Sequence, residues 1–271
     1  MPTVNNGDVV INVWEEGRGA PLMLVHGIGL CSDVWINQVH AFAEQYRVLA
    51  VDLRGFGKSS KPRARRSYVI ERFVDDLAAA ARQLDAVPMH FVGTSLGGFI
   101  GQRLAVREPR LLKSLVLCHT ASETNIPATV LKARLKMLKE GSLEQYAHLV
   151  AGQALAGHPR PAVLDWFIEL IERNDKNVYA QAFAEGLQGF DVRKQIGKIA
   201  APTLVVIGEL DRVIPPKGGR ETARLIRGAK SVTLKGVGHC GYIERPHDFN
   251  SAVLGFIDKV EHGAARRAPA A

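Results

Sequence analysis

Short apolar runs rich in Val, Leu and Ile recur along this chain, at 9–14, 22–26, 48–52, 89–93, 114–119, 203–208 and 231–234. A strand that reads as continuously apolar rather than alternating is buried on both faces, as in a parallel sheet covered by helices. Helical patterns separate most of these runs, at 35–45, 70–84, 96–108, 218–226 and 247–260. The alternation predicts an α/β fold with a mostly parallel central sheet flanked by helices. With 271 residues and 46% hydrophobic content the chain can bury a full core, and it reads as one domain with an insertion. Sheets of this kind bind ligands beyond the carboxyl ends of their strands.

Residues 121–199 break the rhythm, with helical segments at 130–140, 143–151, 162–173 and 179–187 and no convincing strand. Pro161 suits the first turn of the third segment, and Gly141, Gly152 and Gly189 punctuate the stretch. The expectation is a small helical cap over the carboxyl edge of the sheet, inserted into a core formed by 1–120 and 200–262. Residues 263–271, rich in Ala, Arg and Pro, are expected to be a disordered tail.

The polar motifs fall just after strand candidates. Gly93-Thr94-Ser95-Leu96-Gly97-Gly98 lies between an apolar run and a helix. A serine among small residues at such a junction can occupy a tight turn that pushes its hydroxyl over the helix N-terminus, the geometry of a nucleophile. That hydroxyl needs a general base, and the base needs an acid partner to fix its tautomer. Of nine histidines, His239 has the best setting, in the glycine-dense loop Gly236-Val237-Gly238-His239-Cys240-Gly241. Asp211, just after the run at 203–208, is the preferred acid; Glu209 and Glu123 are its competitors. Donors for a developing oxyanion are the backbone N–H of Leu96 and one from His26-Gly27-Ile28-Gly29, with Ile28 ahead of Gly29. His26 itself reads as a brace for that loop, since the role of base is filled.

The formal charge of +8 raises a nucleic-acid partner, but its distribution argues against one. In the stretch 129–140, Leu131, Leu135 and Leu138 form an apolar stripe, and Lys132, Arg134, Lys136 and Lys139 take the remaining faces. A solvated helix face is the simpler reading. Three cysteines, Cys31, Cys118 and Cys240, give an odd count without metal-ligand spacing, so neither a disulfide framework nor a metal is expected. The N-terminus lacks a secretory pattern and no window is long enough for a membrane span, which leads to the expectation of a soluble cytoplasmic protein. Oligomeric state is not readable.

Taken in order with Asp52-Leu53-Arg54-Gly55-Phe56-Gly57-Lys58-Ser59, these motifs make the chain resemble α/β-hydrolase-fold proteins over nearly its whole length. Within that family it is similar to 3-oxoadipate enol-lactonases and related small esterases, perhydrolases and carbon–carbon bond hydrolases. The resemblance implies a cofactor-free serine hydrolase that cleaves a small ester or lactone through Ser95, His239 and Asp211. Its rivals are a carbon–carbon bond hydrolase acting on a vinylogous diketone, a non-hydrolytic lyase or cyclase, and a non-catalytic ligand-binding homologue. Trp35, Met137 and Trp166, with Phe167, Tyr179, Phe183 and Phe190, are the candidate lining of a substrate pocket under the cap, although aromatic residues at helical spacing are more often core. On the enol-lactonase resemblance Lys132 or Arg134 would bind a substrate carboxylate, against the solvated reading preferred from their spacing.

Overall fold

In the computed structural model, which describes residues 2–64, 66–157 and 159–265, the apolar runs pair into one eight-stranded sheet. The strands are β1 (Thr3–Asn6), β2 (Val9–Glu16), β3 (Pro21–Val25), β4 (Arg47–Val51), β5 (Met89–Thr94), β6 (Leu112–Cys118), β7 (Thr203–Gly208) and β8 (Lys230–Leu234). Their order is β1-β2-β4-β3-β5-β6-β7-β8, antiparallel at β1–β2 and β2–β4 and parallel from β4 to β8. β5 and β7 are buried at every position, as strands covered on both faces should be. The strand order reverses at β3, which pairs with β4 on one side and β5 on the other. Such a switch point leaves a crevice beyond the strand ends, and the loop after β3 and the turn after β5 both open into it.

β1 is the strand missing from the apolar pattern. Only Val4 of its four residues is buried, and it is held at the sheet edge by a hairpin with β2 that turns through Gly7 at φ +63°.

The flanking helices are α1 (Ile36–Ala43), α2 (Ile70–Gln83) and α3 (Leu96–Arg107). Between β6 and β7 the chain forms α4 (Ala128–Glu140), α5 (Leu143–Ala154), α6 (Pro161–Glu172) and α7 (Lys176–Ala182), which runs on into a π-helical turn over Phe183–Leu187. Local signals set these ends: the Ser142 side chain accepts from Gln145 N–H to start α5, Pro161 opens α6, and Asp175 accepts from Asn177 and Val178 N–H to cap α7. This stretch is anchored below by Glu185, which accepts from Tyr68 N–H at 3.1 Å, and by Asn174, which donates to Gly29 O at 2.8 Å. α8 (Pro216–Leu225), α9 (Gly241–Glu244) and α10 (Pro246–Ala265) complete the chain. α10 continues through 263–265, where the sequence predicts a tail, beyond Glu261, which ties the helix to Lys113 at 2.6 Å; the rest of that expected tail, 266–271, lies outside the described residues. Among the described residues no helix is long and apolar enough to cross a membrane.

The segment 52–59 is a structural turn. Asp52 accepts from Ser32 N–H (2.7 Å), Lys58 N–H (2.9 Å) and Asn12 Nδ2 (2.9 Å), and Gly57 sits at φ +53° where a Cβ would overlap that carboxylate. Beside it the buried Arg54 guanidinium grips Asp76 of α2 through two bonds, 2.5 and 2.7 Å, and donates to Ser67 O at 3.1 Å. Asn6 of β1 donates to the same Asp76 carboxylate at 2.7 Å, so the pair joins the edge strand, the turn and α2. Removing one member of a buried pair strands the other charge, so Asp76→Ala is expected to lower unfolding free energy by about 3–5 kcal/mol. A denaturant titration reads this directly, and a loss below about 1 kcal/mol would mean the pair is solvated after all.

Candidate active site

Ser95 sits where β5 turns into α3, at φ +52° and ψ −115°, in the positive-φ region that L side chains rarely adopt. Strain of this kind persists only when the surroundings over-determine it. Here the backbone does so: Ser95 N–H donates to Cys118 O at 3.0 Å, and Ser95 O accepts from Gly98 N–H (2.9 Å), Phe99 N–H (3.1 Å) and Thr120 Oγ1 (3.2 Å). A Cβ on Gly97 would overlap the Val25 carbonyl, and one on Gly93 would overlap the Gly97 carbonyl. The small residues are therefore required by the close approach of β3, β5 and α3.

The loop after β3 runs against this turn, since a Cβ on Gly27 would lie 3.2 Å from Ser95 Cβ and 3.8 Å from its Oγ. His26 braces the loop: its Nδ1 donates to Gly27 O at 2.7 Å and its Nε2 accepts from Leu53 N–H at 3.0 Å. Ile28 faces the cavity described below, whereas Gly29 turns away at φ +75° beneath the Tyr179 ring. Leu96 supplies the first amide of α3, immediately after Ser95.

His239 and Asp211 meet between the loops after β8 and β7. His239 Nδ1 donates to Asp211 Oδ2 at 2.8 Å, while Asp211 Oδ1 accepts from Val213 N–H (2.9 Å) and Ile214 N–H (2.8 Å). Burial would raise the Asp211 carboxyl, but His239 and His119 beside it hold it well below the usual carboxylate range. The competing acids go elsewhere: Glu209 accepts from Gly236 N–H at 2.8 Å on an exposed loop, and Glu123 pairs with Arg193 at 2.9 Å. The histidine loop is clamped to the end of α5. His239 N–H donates to Ala154 O at 2.6 Å, and the Glu244 carboxylate accepts from Gly238 (3.0 Å), Cys240 (3.2 Å) and Ala156 (2.8 Å) N–H.

Ser95 and His239 face one cavity of about 790 Å³ beneath α4–α7. Phe167, Tyr179 and Phe183 line it, along with Ile28. Trp35, Met137 and Trp166 do not. Trp35 is fully buried and stacks on Tyr242, ring centroids 4.7 Å apart, below the site, and Phe190 stacks on Phe99 at 4.9 Å. Trp166 is turned by one residue, about 100° of helix, from Phe167, which takes the cavity face of α6. On α4 that face is taken by Val130 and Arg134, four residues apart, while Met137 is half-buried against the core. Lys132 is exposed, but Arg134 is not the solvated residue its spacing suggests. Its guanidinium lies over the Phe183 ring, 5.5 Å from the centroid, and bonds Gln153 Oε1. Among the described residues no carboxylate pairs with it.

Cys31, Cys118 and Cys240 are free thiols. Cys240 lines the cavity, but burial pushes its thiol well up, so it offers no thiolate. His119, which in sequence reads as part of a strand, follows β6 with its Nδ1 3.7 Å from Asp211 Oδ2.

A serine hydroxyl over a helix N-terminus, an imidazole fixed by a buried carboxylate, and one cavity that both residues line together suit acyl transfer. The family model described as "alpha/beta hydrolase fold" matches residues 20–156, and that of "TAP-like protein" matches residues 187–265. The chain is 28% identical over 260 residues to 3-oxoadipate enol-lactonase 2 of Acinetobacter baylyi, covering 93% of this chain and 94% of that protein. It is 29% identical over 276 residues to 2-hydroxy-6-oxo-6-(2'-aminophenyl)hexa-2,4-dienoic acid hydrolase of Metapseudomonas resinovorans, covering 94% of this chain and 90% of that protein. Among solved structures, the enol-lactonase from Burkholderia xenovorans LB400 superposes with a TM-score of 0.89 at 27% identity, covering 95% of this chain and 100% of that one.

Proposed function

The chain belongs to the alpha/beta hydrolase fold family and is a hydrolase, and on that premise we propose that it cleaves a small ester or lactone through a Ser95–His239–Asp211 triad. The observation that carries this reading is the 2.8 Å bond from His239 Nδ1 to Asp211, on the wall of the cavity that Ser95 enters from its strained turn. Ser95 Oγ attacks the carbonyl carbon while His239 Nε2 takes its proton; Asp211 holds the imidazole in the Nδ1–H tautomer and stabilises the imidazolium. The Ile28 and Leu96 N–H groups receive the oxyanion. The imidazolium then protonates the departing alkoxide, and a water activated by His239 hydrolyses the acyl-enzyme. Residues 121–199 act as the cap of the 1–120 and 200–262 core and shape the acyl pocket.

Arg134 bears on the substrate class. A guanidinium on a cavity wall with no carboxylate partner among the described residues is a docking point for a substrate carboxylate, which favours esters or lactones that carry an acid group. The experiment is a panel of matched neutral and carboxylate-bearing aryl esters and lactones, with a dienoic diketone included for carbon–carbon cleavage. A hydrogen bond between charged groups is worth about 1.5–3 kcal/mol, so Arg134→Gln is expected to lower kcat/KM for the acidic members by about 10- to 150-fold. The neutral members should move by less than about 3-fold. Equal losses on both would assign Arg134 a packing role, and turnover of the diketone alone would replace the ester reading with carbon–carbon bond hydrolysis.

A further inference from the structure

His119 follows β6 at φ +48°, pinned to β7 by its N–H, which donates to Val206 O at 2.9 Å. Its imidazole is fully shielded from solvent. Nε2 accepts from Gly241 N–H at 3.2 Å, so that nitrogen carries no proton and the ring's hydrogen is on Nδ1. Burial lowers the His119 pKa and keeps the ring neutral, against the pull of Asp211. Among the described residues the Nδ1–H has no hydrogen-bond partner, although it is buried. Such an orphan donor is costly and calls for an account. It points into the space beside Asp211 Oδ2, 3.7 Å away, the same oxygen that receives the proton of His239.

We infer that His119 is a second donor to Asp211 Oδ2 and a positioning residue for the hydrolytic site, setting how strongly that carboxylate holds the proton on His239. The inference rests on the triad reading above. At 3.7 Å the contact is too long for a hydrogen bond, but an N–H dipole acts on a buried carboxylate at that range, and such contacts shorten as a substrate complex forms. By drawing on the carboxylate's negative charge, His119 weakens its hold on the imidazolium, and removing His119 strengthens that hold. The other titratable groups around the pair do not duplicate this. The Cys240 thiol and Tyr242 phenol are pushed up by burial and stay neutral. Glu244 is committed to backbone amides. Arg212 and Lys217 lie on the cavity wall.

The test compares His119→Phe with His119→Asn, whose amide can take the Nδ1 position and which tolerates a positive φ. The readout is the pH profile of kcat/KM on a neutral aryl ester, checked against the pH dependence of labelling by a serine-directed phosphonate. His119→Phe is expected to move the acidic limb upward by about 0.5–1 pH unit, and His119→Asn to return it to the unmutated position. Should the Phe variant fail to fold, His119→Leu gives the same reading. A folded Phe or Leu variant with an unmoved limb overturns the inference, as does an equal shift in the Phe and Asn variants, which marks a structural role. Ester hydrolysis that survives in Ser95→Ala overturns the triad reading and this inference with it.

Discussion

Ser95→Ala is expected to lower kcat for a short aryl ester by roughly ten-thousand- to million-fold, the scale of losing an activated nucleophile. The size follows from what the proposed mechanism would leave: amides at Ile28 and Leu96 and a base with no serine to activate. The variant should fold, because the hydrogen bonds that fix the turn use the Ser95 backbone, to Cys118 O and from Gly98, Phe99 and Thr120, and alanine keeps all of them. Alanine and serine bear the same Cβ strain at φ +52°, so the melting temperature should hardly move. Two measurements separate loss of the nucleophile from damage to the site. The unmutated protein should release a burst of leaving group stoichiometric with enzyme, and a phosphonate should add one mass increment at Ser95. Both should vanish in the variant. Turnover within about 3-fold of the unmutated protein would remove Ser95 from the mechanism.

The sheet was readable because its central strands are buried on both faces and so carry an uninterrupted apolar signature. β1 carries none: Thr3, Asn5 and Asn6 are polar and Val4 alone enters the core. Its pairing depends on β2 rather than on its own composition. That Ser95, Asp211 and His239 lie at one edge was legible for a related reason, since each follows a strand and the parallel topology brings strand ends together. His119 also follows a strand, yet no local pattern distinguishes it from a residue inside one. Its relation to Asp211 arises from β6 lying beside β7, a fact of sheet order. The cavity lining was least legible. A helix presents a face, and which residue points inward depends on a rotation that packing decides; Phe167 faces the cavity and its neighbour Trp166 does not. The setting of Arg134 is hidden for the same reason, since a period-3.6 pattern says which face is polar but not whether that face meets water or a cavity.

Asp211→Asn is expected to lower kcat/KM by roughly ten-thousand-fold near neutral pH, with the protein still folded. The carboxylate has separable jobs. Oδ1 accepts from the Val213 and Ile214 amides and shapes the loop, which an asparagine carbonyl can do equally well. Oδ2 accepts from His239 Nδ1, and there the substitution offers either an N–H, which selects the wrong tautomer, or a neutral oxygen, which no longer stabilises the imidazolium. Loss should therefore fall on kcat, with KM for a neutral ester little changed. Stability gives an independent check on the ionised state. Asp211 is held below the ordinary carboxylate range, so as pH falls through that range, near ~4, the unfolded chain takes up the proton first and the folded state loses stability. Above the range the carboxyl itself is fully ionised. The amide of the Asp211→Asn variant cannot titrate, so the difference in unfolding free energy between the two proteins should shift in favour of the variant as pH falls through ~4. A difference that does not change as pH falls through ~4 would mean that Asp211 is not the ionised partner of His239, and the assignment of the acid would fall with it.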